Sequence, residues 1–210
     1  KHLQRLHTVY PYDAESPKRH ALTIPANDEA YIRNLLHTAW GEGQEYIMVA
    51  PGAASEAKRW TPQGFIEVCY HLIKHYQQRI VFVGDEADRG GAERMVEVLG
   101  ANTLNLCGRT TLLQLAEVTQ RASLALVNDS APMHLASYLD VPVLALFGPS
   151  DVHKYGPWGF HGRYLQKNKD CPACQNSKSQ ARHNCMAAIT GQDVLSAFQI
   201  TRGKITFNKV

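Results

Sequence analysis

The stretch LALVNDSAPMHLASYLDVPVLALFG, Leu124 to Gly148, decides the fold. It opens on a short apolar run, Leu124 to Val127, and breaks at Asn128-Asp129-Ser130-Ala131. It restarts as a helix from Pro132 and ends in a second apolar run, Val141 to Phe147. Two apolar runs of strand length, separated by about one helix, are the pattern of a βαβ unit with buried parallel strands. Polar residues gather where the first strand hands over to the helix, which is where an open α/β sheet binds its ligand. Ser130 can cap that helix and Pro132 suits its first turn. The N–H groups of the turn, with the positive end of the helix dipole, favour a phosphate. His134, one turn in, can reach the same anion. A plain capped helix with a surface histidine is the alternative; Asp129, Ser130 and His134 gathered at one strand end weigh against it.

Outward toward the N-terminus the same alternation repeats. Thr111 to Ala122 reads as an amphipathic helix and Thr103 to Cys107 as a short strand closed by Gly108. Arg79 to Gly84 (RIVFVG) is a buried strand with Asp85-Glu86 at its end, followed by a helix from Ala87 to Leu99. An acid in that position can take the two hydroxyls of a ribose, or simply begin the helix. Thr61-Pro62 starts a helix whose apolar stripe is Phe65, Val68, Cys69, Leu72, Ile73 and Tyr76. Before it lies PGAASEAKRW, Pro51 to Trp60, after a first strand at Tyr46 to Ala50. Its small residues let a ligand approach the backbone, and Lys58 and Arg59 bring cations to the same rim. Asp28 to Trp40 looks helical, and Lys1 to Asn27 reads as a linker or arm. Outward toward the C-terminus come a Gly/Pro/aromatic loop with Tyr155 and Trp158, a last strand at Tyr164 to Gln166, and a short helix at Asp193 to Phe198.

Strand–helix alternation predicts an α/β fold, a Rossmann-like doubly wound parallel sheet. The division expected is an arm with an N-terminal helix over 1–45, a Rossmann-like nucleotide-sugar-binding domain over 46–168, and a Cys-rich loop with a C-terminal helix and tail over 169–210. Lys58, Glu86, Asp129, Ser130 and His134 all follow strands, so a parallel sheet brings them to one edge. There is no Walker A motif and no GxGxxG, which argues against an NTPase or a common dehydrogenase. With 44% apolar and 20% charged residues the chain is of globular composition, and a net charge of +3 with no dense basic block does not single out nucleic acid. No apolar run approaches the length of a membrane span, and no leader-like segment opens the chain. Five cysteines, an odd set with only Cys171, Cys174 and Cys185 clustered, favour a reducing cytosol over a disulfide framework. Those three with His183 have the donor types of a structural zinc or iron site; three reduced cysteines in a loop is the other reading.

Three segments together resemble the C-terminal half of glycosyltransferase family 9, the ADP-heptose:lipopolysaccharide heptosyltransferases. They are PGAASEAKRW, VNDSAPMHLASYLDVPVLALFGPSD (Val127 to Asp151), and the Cys-rich tail through Cys185-Met186; the resemblance runs from Tyr46 to Phe198. It implies the C-terminal, donor-binding half of a GT-B fold, in which two Rossmann-like domains face each other. Matched motif by motif, it implies Lys58 as the donor-phosphate lysine, with Ser55 nearby in the same loop. It makes Glu86 the ribose-binding acid and Thr110 a residue lining the adenine pocket. Asp129, Ser130, Ala131 and His134 fall around the diphosphate and heptose. Ala131 departs from the family's usual glycine, and Ala53 and Ala54 lack hydroxyls that some members place in their loop, where Ser55 can substitute.

The resemblance further implies inverting transfer of heptose from ADP-L-glycero-D-manno-heptose to a lipopolysaccharide inner-core acceptor, with no cofactor required for catalysis. The acceptor and the catalytic base belong to the family's N-terminal domain. About the first forty-five residues precede the first strand here, too few for such a domain. The chain alone is therefore expected to bind donor without turning it over, and to hold no catalytic residue of its own. The expected setting is cytoplasmic, at the inner face of the inner membrane through peripheral association, without a transmembrane segment and without nucleic acid. A non-catalytic nucleotide-sugar-binding module, a transferase using another nucleotide sugar or a protein acceptor, and an interaction or metal module built on the cysteines are the competing readings.

Overall fold

The computed structural model describes residues 22–158, 162–167, 185–201 and 204–207. In order these form α1 (Ala26–Trp40), β1 (Tyr46–Ala50), α2 (Pro62–Tyr76), β2 (Arg79–Phe82), α3 (Arg89–Leu99) and β3 (Thr103–Asn105). Then come α4 (Leu112–Arg121), β4 (Leu124–Asn128), α5 (Ala131–Tyr138), β5 (Val143–Phe147), α6 (Val152–Tyr155) and β6 (Gly162–Gln166). A short α7 (Gly191–Ser196) and a hairpin of β7 (Phe198–Thr201) and β8 (Lys204–Phe207) follow.

Six strands make one sheet in the order β3-β2-β1-β4-β5-β6, every pairing parallel. This is the Rossmann order, and it reverses direction between β1 and β4. The central strands are buried on both faces, as their apolar runs require. Alternate residues divide between two cores. Ile47, Val49, Leu124 and Leu126 meet Phe65, Val68 and Leu72 of α2 and Met95 of α3. Tyr46, Met48, Ala125 and Val127 meet Ile32 of α1, Val118 of α4 and Met133 of α5. Helix α1 is thus part of the packed layer: Ile32 is fully buried and Gln114 Nε2 donates to Asp28 Oδ1 at 2.8 Å. Trp40 donates its indole N–H to Ala101 O at 3.0 Å.

Local signals set most boundaries. Thr61 Oγ1 accepts from Gly64 N at 3.1 Å and Pro62 opens α2, while Thr111 and Gln114 form a reciprocal capping box on α4. Several expectations shift. β5 starts at Val143 rather than Val141, because Asp140 turns the chain with φ +60° and Pro142 has no N–H for the ladder. The helix expected from Ala87 begins at Arg89; a 3-10 turn, Glu86–Asp88, precedes it, held by reciprocal bonds between Asp85 and Asp88. The strand expected to reach Cys107 ends at Asn105. The helix expected at Asp193 to Phe198 runs Gly191–Ser196, capped by Thr190, and the antiparallel β7–β8 pair was not anticipated.

Candidate functional site

The C-terminal ends of β1 and β4 lie side by side where the strand order reverses. The β1α2 connection leaves toward one face and the β4α5 connection toward the other, which opens a crevice between them. Lys58 closes a 3-10 turn, Glu56–Lys58, in the loop after β1, and Asp129 follows β4 directly. Their side chains meet in the crevice, Lys58 Nζ lying 2.8 Å from Asp129 Oδ2 as a close charge contact. Asp129 is 5% exposed, so its carboxylate faces the Lys58 ammonium largely out of water. Tyr155 at the end of α6 brings its ring under the same ammonium, 5.9 Å from Lys58 Nζ, with Lys154 Nζ at 4.8 Å. His134 of α5 stacks on Trp158, ring centroids 5.1 Å apart and planes 21° from parallel.

Ser130 occupies the cap position of α5, but its hydroxyl donates to Asn128 O at 3.2 Å instead of accepting from the helix. The cap role expected of its side chain is therefore corrected. Pro132 contributes no N–H, and the Met133 N–H is taken by Ser130 O at 3.1 Å. Ala131 is exposed, as is Ser55 across the crevice.

One strand further out, Glu86 opens its 3-10 turn with its side chain 69% exposed and 2.8 Å from Arg89 Nη2. Asp85 is spent on capping that turn, while the Glu86 carboxylate, paired with Arg89, stays open to solvent. Gly108, after β3, has φ +66°, and a Cβ there would lie 2.2 Å from Glu86 Oε2 and 2.9 Å from Glu86 Cα, so only glycine fits beside this carboxylate. Arg89 also donates to the carbonyls of Cys107 and Gly108, each at 3.2 Å. Thr110 is half-buried two residues on. The structure thus brings Lys58, Asp129 and Tyr155 into contact, and His134 against Trp158. Glu86 and Thr110 stand on the same edge beyond them, without direct contact to Lys58.

Arg59, the other cation of this loop, is paired toward the β2 side. Its guanidinium is bound at 2.8 Å to Asp88 Oδ1, on the β2 side, and lies 3.4 Å from Glu56. Two positions were given no role at the site by the sequence. Asp88 is one. Asn128 is the other: it is fully buried, its Nδ2 donates to Pro51 O at 2.8 Å, and its Oδ1 accepts from Trp60 N at 3.2 Å. A polar residue closing an otherwise apolar strand was the available signal. Cys69 and Cys107 are not candidates for nucleophilic chemistry, since burial pushes both thiols up to about 12. Cys185 is buried, and Cys171, Cys174 and His183 lie outside the described residues; among the described residues no group of three or more His, Cys, Asp or Glu gathers as a metal site.

The model of glycosyltransferase family 9 (heptosyltransferase) matches residues 6–184. The chain belongs to glycosyltransferase family 9. The match starts well ahead of Tyr46, where the motif resemblance began. Within the family, the chain is 32% identical over 155 residues to lipopolysaccharide heptosyltransferase 2 of Escherichia coli K12, covering 71% of this chain and 44% of that protein. It is 25% identical over 159 residues to lipooligosaccharide heptosyltransferase 2 of Campylobacter jejuni, covering 73% of this chain and 50% of that one. Among solved structures, E. coli ADP-heptose lipopolysaccharide heptosyltransferase II superposes with a TM-score of 0.68 at 26% identity, over 83% of this chain and 50% of the other. This family 9 chain therefore spans about half the length of the curated relatives it matches. Among the described residues no helix is long and apolar enough to cross a membrane.

Proposed function

We propose that this domain is the donor-binding half of a GT-B heptosyltransferase and holds the ADP moiety of ADP-L-glycero-D-manno-heptose in the crevice between β1 and β4. The observation that carries the reading is the Lys58–Asp129 contact at the point where the strand order reverses. A cation there, beside the start of a helix, suits a diphosphate. Glu86, exposed at the end of the neighbouring strand, suits the ribose hydroxyls, and Thr110 beyond it suits the adenine.

In this reading the transfer is inverting. A carboxylate of the facing N-terminal half deprotonates a hydroxyl of the lipopolysaccharide inner core. That oxygen attacks the anomeric carbon as the bond to ADP breaks. Lys58, with His134 and the first turn of α5, meets the charge that develops on the leaving diphosphate. These groups of the chain do the work a metal would otherwise do. The setting that follows is the cytoplasm, at the inner face of the inner membrane where such an acceptor is presented.

Calorimetric titration with ADP, UDP and GDP, then with ADP-heptose, tests the assignment. ADP is expected to bind best and the heptose to add affinity; indifference to the base, or no binding at all, would sink the reading. Glu86→Gln is expected to weaken ADP binding by about 1 kcal/mol, the size of one hydrogen bond, while inorganic diphosphate binding stays unchanged. Equal losses for both ligands would give Glu86 a structural role.

A further inference from the structure

We propose that Asn128 and Asp88 are positioning residues for Lys58, clamping the loop that carries it through its two ends and through the residue that follows it. The inference rests on the reading of Lys58 as the cation that meets the donor diphosphate.

The loop cannot fix itself. Its leading half, Gly52-Ala53-Ala54-Ser55, carries only small side chains. Its internal bonds are those of one 3-10 turn, Lys58 N to Ser55 O at 3.0 Å and Arg59 N to Glu56 O at 3.1 Å. Lysine reaches its target on a flexible four-carbon stem, so the ammonium is placed only as well as its backbone is. Anchors must come from elsewhere, and the structure supplies two.

The first is Asn128. One amide group holds both ends of the loop, donating to Pro51 O at 2.8 Å and accepting from Trp60 N at 3.2 Å. Only a side-chain amide offers a donor and an acceptor side by side in this way; a carboxylate loses the first bond and an aliphatic residue loses both. Asn128 is fully buried, so both bonds are made in surroundings where their loss is expensive. It also directly precedes Asp129. One strand end therefore fixes the lysine loop and supplies the carboxylate that faces the lysine.

The second anchor is Asp88. Its carboxylate binds Arg59, the residue after Lys58, at 2.8 Å, and accepts from Asp85 N at 3.3 Å. It lies directly on Gly52, where a Cβ would be 2.0 Å from Oδ2. The same 3-10 turn begins with Glu86. Asp88 therefore ties the turn bearing the ribose acid to the loop bearing the phosphate lysine, and Arg59 serves this tie.

A double-mutant comparison distinguishes positioning from general scaffolding. Asn128→Ala and Arg59→Met are each made in the parent and in a Lys58→Met background, and ADP affinity is read by calorimetry beside thermal unfolding. Each is expected to weaken ADP binding about tenfold in the parent, the loss of a well-placed charged hydrogen bond, and less than about twofold once Lys58 is gone. Thermal stability should fall equally in both backgrounds. Losses of ADP affinity that persist undiminished without Lys58 would overturn the proposal, since they would mark direct contact or plain unfolding. If Asn128→Ala does not fold, Arg59→Met, whose side chain is partly exposed, decides alone. If Lys58→Met itself binds ADP like the parent, the donor-site reading fails and this inference falls with it. If Lys58→Met weakens binding but the clamp variants do not, only this inference fails.

Discussion

Trp60→Ala is expected to destabilise the domain by about 3–5 kcal/mol, the cost of truncating a buried aromatic where neighbours cannot close the gap. Trp60 is 2% exposed and meets the Phe65 ring edge-on at 4.9 Å. Helix α2 gives up a side chain to make room for it: a Cβ at Gly64 would lie 2.4 Å from the indole. The indole N–H donates to Ile189 O at 2.8 Å, so this ring also ties the segment leading into α7 to the front of the sheet. Collapse around the missing ring is hindered, because the backbone of residue 60 is held by Asn128. Trp60→Phe separates the two contributions. It keeps most of the volume and leaves the Ile189 carbonyl without its donor, at a cost of about 1–2 kcal/mol. Urea denaturation of the three proteins checks this. A loss below about 1 kcal/mol for Trp60→Ala would show that the Cys185-to-Ser196 segment does not dock on the domain as described.

What could be read from the sequence, and what could not, follows from the range of the forces involved. The strands β1, β4 and β5 are runs of five residues, all buried, and a strand covered on both faces is built mainly of apolar residues. Their order along the chain, with a helix between each, then dictates a parallel sheet and places Lys58 and Asp129 on one edge. The fate of Arg59 was hidden because its partner, Asp88, is 29 positions away and is chosen by tertiary packing. Asp88 carried a local signal, the three-residue spacing from Asp85 that forms a capping box, but nothing that pointed to Arg59. Asn128 looked like the break after a strand when it is the last, buried residue of one. The β7–β8 hairpin escaped because two strands of four residues give too short a period to set against a helix.

Lys58→Ala is expected to weaken ADP binding by about 1–3 kcal/mol, toward the upper end, for a reason specific to its partner. In the structure the ammonium faces Asp129, whose carboxylate is almost wholly buried. Removing the lysine therefore does two things: it deletes a charge-assisted contact to the diphosphate, and it leaves an uncompensated anion at the edge of the site. Both act against an incoming anion, and the second is not screened as a surface charge would be. Asp129→Asn in the same protein removes the uncompensated anion, so the double variant Lys58→Ala/Asp129→Asn should recover part of the loss. If the lysine acts only as a point charge in solvent, the loss should shrink to near zero in high salt. In the arrangement described here it should persist there in large part. Titrating ADP into the parent, each single variant and the double variant at two salt concentrations measures all of these. An Asp129→Asn exchange that deepens the loss, rather than relieving it, would mean that Asp129 itself holds the donor and that its contact with Lys58 is incidental.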